Sequence, residues 1–165
     1  MTIDDVRIRR YQPADRGAVM ALATRLMIGV APWRDPDAVH RAVTAWVRDS
    51  LGACDADDRA VFVAEHDGGV VGVVTVGRRR HFTGEVDAYV GELVVAEHAQ
   101  RRGVGTLLMR EVERWAVRHG YPHVTLETGA ANDAARSFYR SRGYREEEVR
   151  LTRPLASERA YGGPG

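Results

Sequence analysis

The chain has 165 residues, 44% of them hydrophobic and 28% charged, which suits one domain with a real core and is too short for two comfortable ones. A formal net charge of +1 supplies no global basic field of the kind nucleic acid or an anionic membrane would require. All 24 basic residues are arginine, so a Walker lysine, a Schiff-base lysine and a lysine nucleophile are excluded.

Residues 6–12 (VRIRRYQ) alternate apolar and basic side chains, the period of an edge or half-buried strand. Pro13 opens a helical pattern through Val19, Leu22, Ala23, Leu26 and Met27 that stops at Gly29. A loop at 30–37 leads to Pro36, well suited to the first position of a helix that carries Val39, Val43, Trp46 and Val47 on one face to about Leu51. After an acidic loop at 52–58, residues 60–67 and 69–80 read as two strands joined by Asp67-Gly68-Gly69, a strong hairpin signal. Residues 86–97 form a third long strand. A glycine-rich turn then runs into a helical stripe of Val104, Leu107, Leu108, Val112, Trp115 and Ala116 that ends near Gly120. A short strand at 123–128, a helix at 131–143 closed by a C-cap glycine, and a final strand at 144–155 complete the pattern.

The expected order is β-α-α-β-β-β-α-β-α-β. It predicts a single α/β (α+β) domain over residues 1–160, a mixed central sheet flanked by helices, and a flexible tail at 161–165. The N-terminal stretch MTIDDVRIRRYQ has no apolar h-region, no run approaches membrane-spanning length, and Cys54 is single. Together these predict a cytoplasmic protein with no membrane partner. Histidines 40, 66, 81, 98, 119 and 123 show no HxxxH spacing, so no structural metal is expected.

The turn at Arg101-Arg102-Gly103-Val104-Gly105-Thr106 follows a strand and opens a helix. Such a turn directs several backbone N–H groups at one point, reinforced by the helix dipole, which makes an anion site. Glycine at 103 and 105 permits close approach, and the two arginines add charge-assisted hydrogen bonds at the rim. A dinucleotide fingerprint would need glycine where Leu108 stands, and a Walker loop would need a lysine.

The segment ELVVAEHAQRRGVGTLL resembles the acyl-CoA-binding motif of the GNAT superfamily of N-acetyltransferases, a strand followed by Q/R-x-x-G-x-G/A at a helix start. NDAARSFYRSRGY at 132–144 is similar to the family's second motif, an Asn, a Phe-Tyr pair and a Gly-aromatic. The resemblance implies acetyl-CoA as co-substrate, its diphosphate cradled by Arg101 to Thr106. It also implies that Leu93, Val94 and Val95 pair with the pantetheine arm, with the Val95 N–H directed at the thioester carbonyl. The implied acceptor is a primary amine of a small molecule or peptide, and the family's habit admits a homodimer. The rival classes are a catalytically inactive CoA-binding sensor or interaction module on the same fold and a nucleotide-binding regulatory domain.

Alkyl amines have a pKa near ~10, so acetyl transfer at neutral pH needs a proton acceptor for the amine and a proton donor for the departing thiolate. Tyr139 lies seven residues after Asn132, two helical turns, so both face the same way. The resemblance places Asn132 against the pantetheine and Tyr139 near the sulfur, as the candidate acid. Glu92 on the third long strand is the candidate base; in a regular strand it shares a face with Val90 and Val94 unless a bulge near Gly91 re-aims it. Glu85, Asp87 and a water relay remain competitors. The acceptor region implied is MIGVAPWRDPD at 27–37, where Trp33 is either a flat wall for a cationic amine or a plug between the helices.

Overall fold

Asp67 and Gly68 carry φ angles of 49° and 73°, both left-handed, with His66 paired to Gly69. That is the two-residue turn whose twist matches a hairpin, and it joins β2 (Arg59–His66) to β3 (Gly69–Arg80) as their sequence requires. The computed structural model describes residues 2–54, 56–153 and 155, so the anticipated tail at 161–165 lies outside the described residues. Five strands form one sheet in the order β1 (Arg7–Arg10), β2, β3, β4 (Val86–Val95), β5 (Val124–Leu126). Each of the first four runs antiparallel to its neighbour among them, and β5 joins β4 in parallel.

Helices cover both faces. On one side α3 (Val104–Arg118) buries Val104, Leu108, Met109, Val112, Trp115 and Ala116 against Phe62, Val74, Val76, Ala88 and Val90. The 3.6-residue spacing of those side chains is what made the helix readable from sequence. On the other side α1 (Arg16–Leu22) and α2 (Pro36–Gly52) bury Val19, Val43, Val47 and Leu51 against Val61, Val63, Val73 and Val94. The start of α2 combines Pro36 at its first position with the Asp35 carboxylate accepting the Ala38 N–H at 2.7 Å. After β5, α4 (Asp133–Ser141) packs Phe138 and Tyr139 against the α3-side core. No helix among the described residues is long and apolar enough to cross a membrane.

Two expectations need correction. The helix expected from Pro13 to Gly29 is a short 3-10 turn at Pro13–Asp15, then α1, then a second 3-10 segment at Ala23–Met27. Tightening of this kind is common at helix ends, and the segment ends with Gly29 at φ 83°. The final strand expected at 144–155 is not formed by the described residues there. Its three consecutive glutamates give no apolar alternation, Val149 and Leu151 are 77% and 89% exposed, and Glu146 is held by Arg136 of α4 at 2.7 Å. The three-residue β5 also offers it a very short ladder.

Candidate functional site

β4 and β5 run together only through Ala88↔Val124, Tyr89↔Thr125 and Val90↔Leu126. Past Val90 they part, and the departure coincides with a fault in the β3–β4 ladder. Its register passes from Val76↔Val90 to Val74↔Leu93, so Gly91 and Glu92 together face Thr75. This is a β-bulge, and it reverses the alternation along β4. Ala88 and Val90 face the α3 side, and after the bulge so do Leu93 and Val95, while Val94 faces α1 and α2. Glu92 therefore shares a face with Val94 but not with Val90, which corrects the regular-strand expectation.

The bulge also re-aims the backbone. The Ala88 N–H reaches toward β5, donating to the His123 carbonyl at 3.0 Å. Beyond the bulge the Glu92 N–H donates to Thr75 Oγ1 at 3.0 Å and the Ala96 N–H to the Val71 carbonyl at 2.8 Å, both on the β3 side. By alternation, the N–H groups of Leu93 and Val95 point the other way, into the gap that β5 has left. An extended ligand arm would find an unpaired strand edge there.

Beside that edge, α3 begins. Gly103 stands at φ 85° and caps the helix with no side-chain hydrogen bond, and Arg101 is also left-handed at φ 57°. Two such residues so close together are rare outside glycine-rich turns, and they curl the backbone into a concave, amide-lined bend. The first helical bond is from the Leu107 N–H to the Gly103 carbonyl at 3.0 Å. The N–H groups of Val104, Gly105 and Thr106 therefore precede the ladder and are presented at the helix start, where the dipole favours an anion. Arg101 and Arg102 are exposed at the rim. A Cβ on Gly105 would lie 3.4 Å from Phe138 and 3.9 Å from Val95, so the bend, the free edge of β4 and α4 converge. Among the described residues the amides of the bend and the edge next to it have no backbone partner, which suits a diphosphate carrying an extended amide-bearing arm.

Asn132 caps α4, its Oδ1 accepting the Ala135 N–H at 3.1 Å, and its Nδ2 donates to the Ile28 carbonyl at 3.4 Å. That bond ties the α1–α2 loop to the same region. Tyr139 is held edge-on by Phe138 and Tyr144, with ring centroids 5.1 and 5.6 Å away. Burial pushes its phenol up to about 12, so it stays protonated across the neutral range. Its hydroxyl has no hydrogen-bond partner among the described residues, whereas Tyr144 donates to Glu113 at 3.3 Å.

Glu92 is 7% exposed, and its carboxylate accepts hydrogen bonds from the Ser50 hydroxyl of α2 at 3.1 Å and from the Thr75 hydroxyl. Its competitors sit differently: Glu85 is exposed, while Asp87 is buried and meets His123 Nδ1 at 3.1 Å. Tyr89 shares the Asp87 side of β4; Arg79 lies 4.4 Å over its ring and pairs with Glu127 at 2.8 Å. Trp33 is 55% exposed, so the plug alternative is withdrawn. Among the described residues no group of His, Cys, Asp or Glu could hold a metal ion.

Sequence reasoning missed Ser50, Thr75 and the Asp87–His123 pair. Thr75 alone left a signal, as the one hydroxyl in the apolar run GVVGVVTVG.

A family model described as acetyltransferase (GNAT) family matches residues 22–144. The peptidyl-lysine N-acetyltransferase YiaC of Escherichia coli (strain K12) is 34% identical over 83 residues, covering 50% of this chain and 48% of that protein. The chain spans about half the length of the curated relatives it matches. Among solved structures, AAC(6')-Iy in complex with the bisubstrate analog CoA-S-monomethyl-acetylneamine superposes with a TM-score of 0.67 at 22% identity, over 92% of this chain and 99% of that one. The aminoglycoside acetyltransferase meta-AAC0020 from an uncultured soil metagenomic sample, in complex with sisomicin, gives a TM-score of 0.63 at 19% identity, over 93% and 98%.

Proposed function

Because the chain belongs to the acetyltransferase (GNAT) family, we propose that it is an acetyl-CoA-dependent N-acetyltransferase acting on a primary amine of a small molecule or peptide by direct attack in a ternary complex. The observation that carries this reading is the parting of β4 and β5 beside the uncapped first turn of α3. The proposal takes residues 1–160 as the catalytic unit.

In this reading the amides of Gly103, Val104, Gly105 and Thr106, with Arg101 and Arg102 at the rim, hold the diphosphate. Leu93 and Val95 pair with the pantetheine arm while Val94 between them is turned to Val73 of β3, and Asn132 flanks the arm while capping α4. The Val95 N–H donates to the thioester oxygen, where negative charge develops as the amine attacks. Glu92, directly or through water, accepts the amine's proton on the α1–α2 face of the sheet. Tyr139 donates a hydrogen bond to the sulfur as the carbon–sulfur bond breaks; the tetrahedral centre collapses to the amide, CoA leaves as a thiolate held by that bond and takes its proton from water, and Glu92 returns the amine's proton to solvent.

The names of the relatives point to two acceptor types, peptidyl lysine and aminoglycosides, and both present a primary amine. The exposed Trp33 and the carboxylate of Glu92 suit a cationic amine. A thiol-release assay with acetyl-CoA against a mixed panel of amines and lysyl peptides tests the reading. Turnover with one acceptor class supports it. Thermal stabilisation by CoA with no turnover on any acceptor would turn the assignment to a CoA-binding module.

A further inference from the structure

Thr75 is 6% exposed within the otherwise apolar run at 69–77 of β3. A buried hydroxyl is costly unless hydrogen-bonded, and this one is bonded at the fault in the β3–β4 ladder. Its Oγ1 accepts the Glu92 N–H at 3.0 Å and donates to Glu92 Oε2. A Cβ on Gly91 would stand 2.8 Å from the same oxygen, closer than side chains tolerate. One hydroxyl thus stands in for a ladder carbonyl, fills the notch that a glycine leaves, and holds the carboxylate of the residue whose backbone it anchors.

We infer that Thr75 is a positioning residue for acetyl transfer, acting by stabilising the extra residue in β4. This inference rests on the acetyltransferase reading. Were the bulge drawn flat with the sequence unchanged, the alternation set by Ala88 and Val90 would continue through Glu92 and Val94. The Val95 N–H would then turn into β3, away from the gap, and Glu92 would face α3 instead of the α1–α2 side. The same inserted residue therefore sets both the candidate oxyanion donor and the candidate base, and the Thr75 hydroxyl holds it. Ser50 also bonds the Glu92 carboxylate, at 3.1 and 3.4 Å, but it makes no bond to the β4 backbone. It orients the carboxylate without setting the register.

The test compares Thr75→Val, which keeps the side-chain shape without the hydroxyl, with Thr75→Ser, which keeps the hydroxyl. Both are measured in the full chain by CoA titration and thiol release, with rates normalised to folded protein. Thr75→Val is expected to lose roughly tenfold to a hundredfold in kcat, the scale of a misplaced donor or base. Its CoA affinity should fall less than its kcat, since the α3 amides are untouched and only the edge that meets the pantetheine is disturbed, and Thr75→Ser should recover most of the rate. A Thr75→Val enzyme as fast as wild type overturns the inference, as does a serine variant as slow as the valine one. Where Thr75→Val does not fold, amide hydrogen exchange on the wild-type protein decides. The Glu92 amide should be protected with or without CoA, and those of Leu93 and Val95 should exchange fast until CoA is added. Fast exchange at Glu92, or protection of Val95 in the free protein, overturns the register on which the inference depends. A wild-type chain that neither binds CoA nor releases thiol refutes the acetyltransferase reading itself.

Discussion

Replacing Tyr139 with phenylalanine removes a single oxygen, and the structure separates what that costs in folding from what it costs in chemistry. The phenol makes no hydrogen bond among the described residues, and the edge-on packing with Phe138 and Tyr144 at 5.1 and 5.6 Å survives the change. Stability at neutral pH should therefore stay within about 0.5 kcal/mol of wild type, a shift in Tm of no more than about 2 °C for a domain of this size. The chemical step has more to lose. With its phenol pushed up to about 12, Tyr139 is a weaker acid than an ordinary thiol, which titrates near ~8.5. Complete proton transfer to the thiolate would be uphill by about 5 kcal/mol, so the residue's contribution is a hydrogen bond to sulfur as charge develops. Losing one such donor should lower kcat roughly 10- to 100-fold, about 1.4–2.7 kcal/mol of barrier. Thiol release at saturating acetyl-CoA measures this, with CoA affinity by titration expected to be unchanged. Tyr144→Phe is the control: it deletes the 3.3 Å bond to Glu113 and should leave kcat near wild type. A Tyr139→Phe enzyme within twofold of wild type would refute the argument.

Gly103→Ala forces a side chain onto φ 85° and brings its Cβ to 3.0 Å from Ile3. It should cost about 1–2 kcal/mol of stability and weaken CoA binding roughly tenfold by disturbing the amides that follow; unchanged affinity would argue against that bend as the diphosphate site. Glu92→Gln retains an acceptor for Ser50 and Thr75, so the fold should hold while kcat drops at least roughly tenfold. A Glu92→Gln enzyme with the wild-type rate would remove Glu92 as the base. Alkaline stability follows from the buried phenols: Tyr139 is raised to about 12 and Tyr144 is raised as well, by burial first. A folded value above the unfolded one means the stabilisation is complete below pH ~10 and is lost as pH rises through the folded value. Guanidinium unfolding between pH 9 and 12 should show that fall, with Tyr139→Phe sparing about 2 kcal/mol of it by pH 12; identical pH dependence in the two proteins would contradict it.

What was legible in the sequence was local. The Asp67-Gly68 turn, the Asp35-Pro36 helix start and the Val104–Ala116 stripe each encode their own geometry within a few residues, and each stands where expected. The glycine bend at 101–106 belongs to the same class. Features that depend on a partner far along the chain were not legible. The direction of Glu92 is decided by Thr75, 17 residues earlier, and its second hydroxyl comes from Ser50, 42 residues earlier. The strand expected at 144–155 failed for a related reason: a strand exists only through its neighbour, and β5 provides three residues of edge. Trp33 illustrates the remaining gap, since hydrophobicity alone does not distinguish a wall from a plug.

The most direct measurement is a crystal structure of the chain with acetyl-CoA. The account predicts the diphosphate against the amides of residues 103–106, the pantetheine paired with Leu93 and Val95, and the thioester oxygen within hydrogen-bond reach of the Val95 N–H. Well-ordered ligand bound elsewhere, with the bend at Gly103 and the free edge of β4 both untouched, would contradict it.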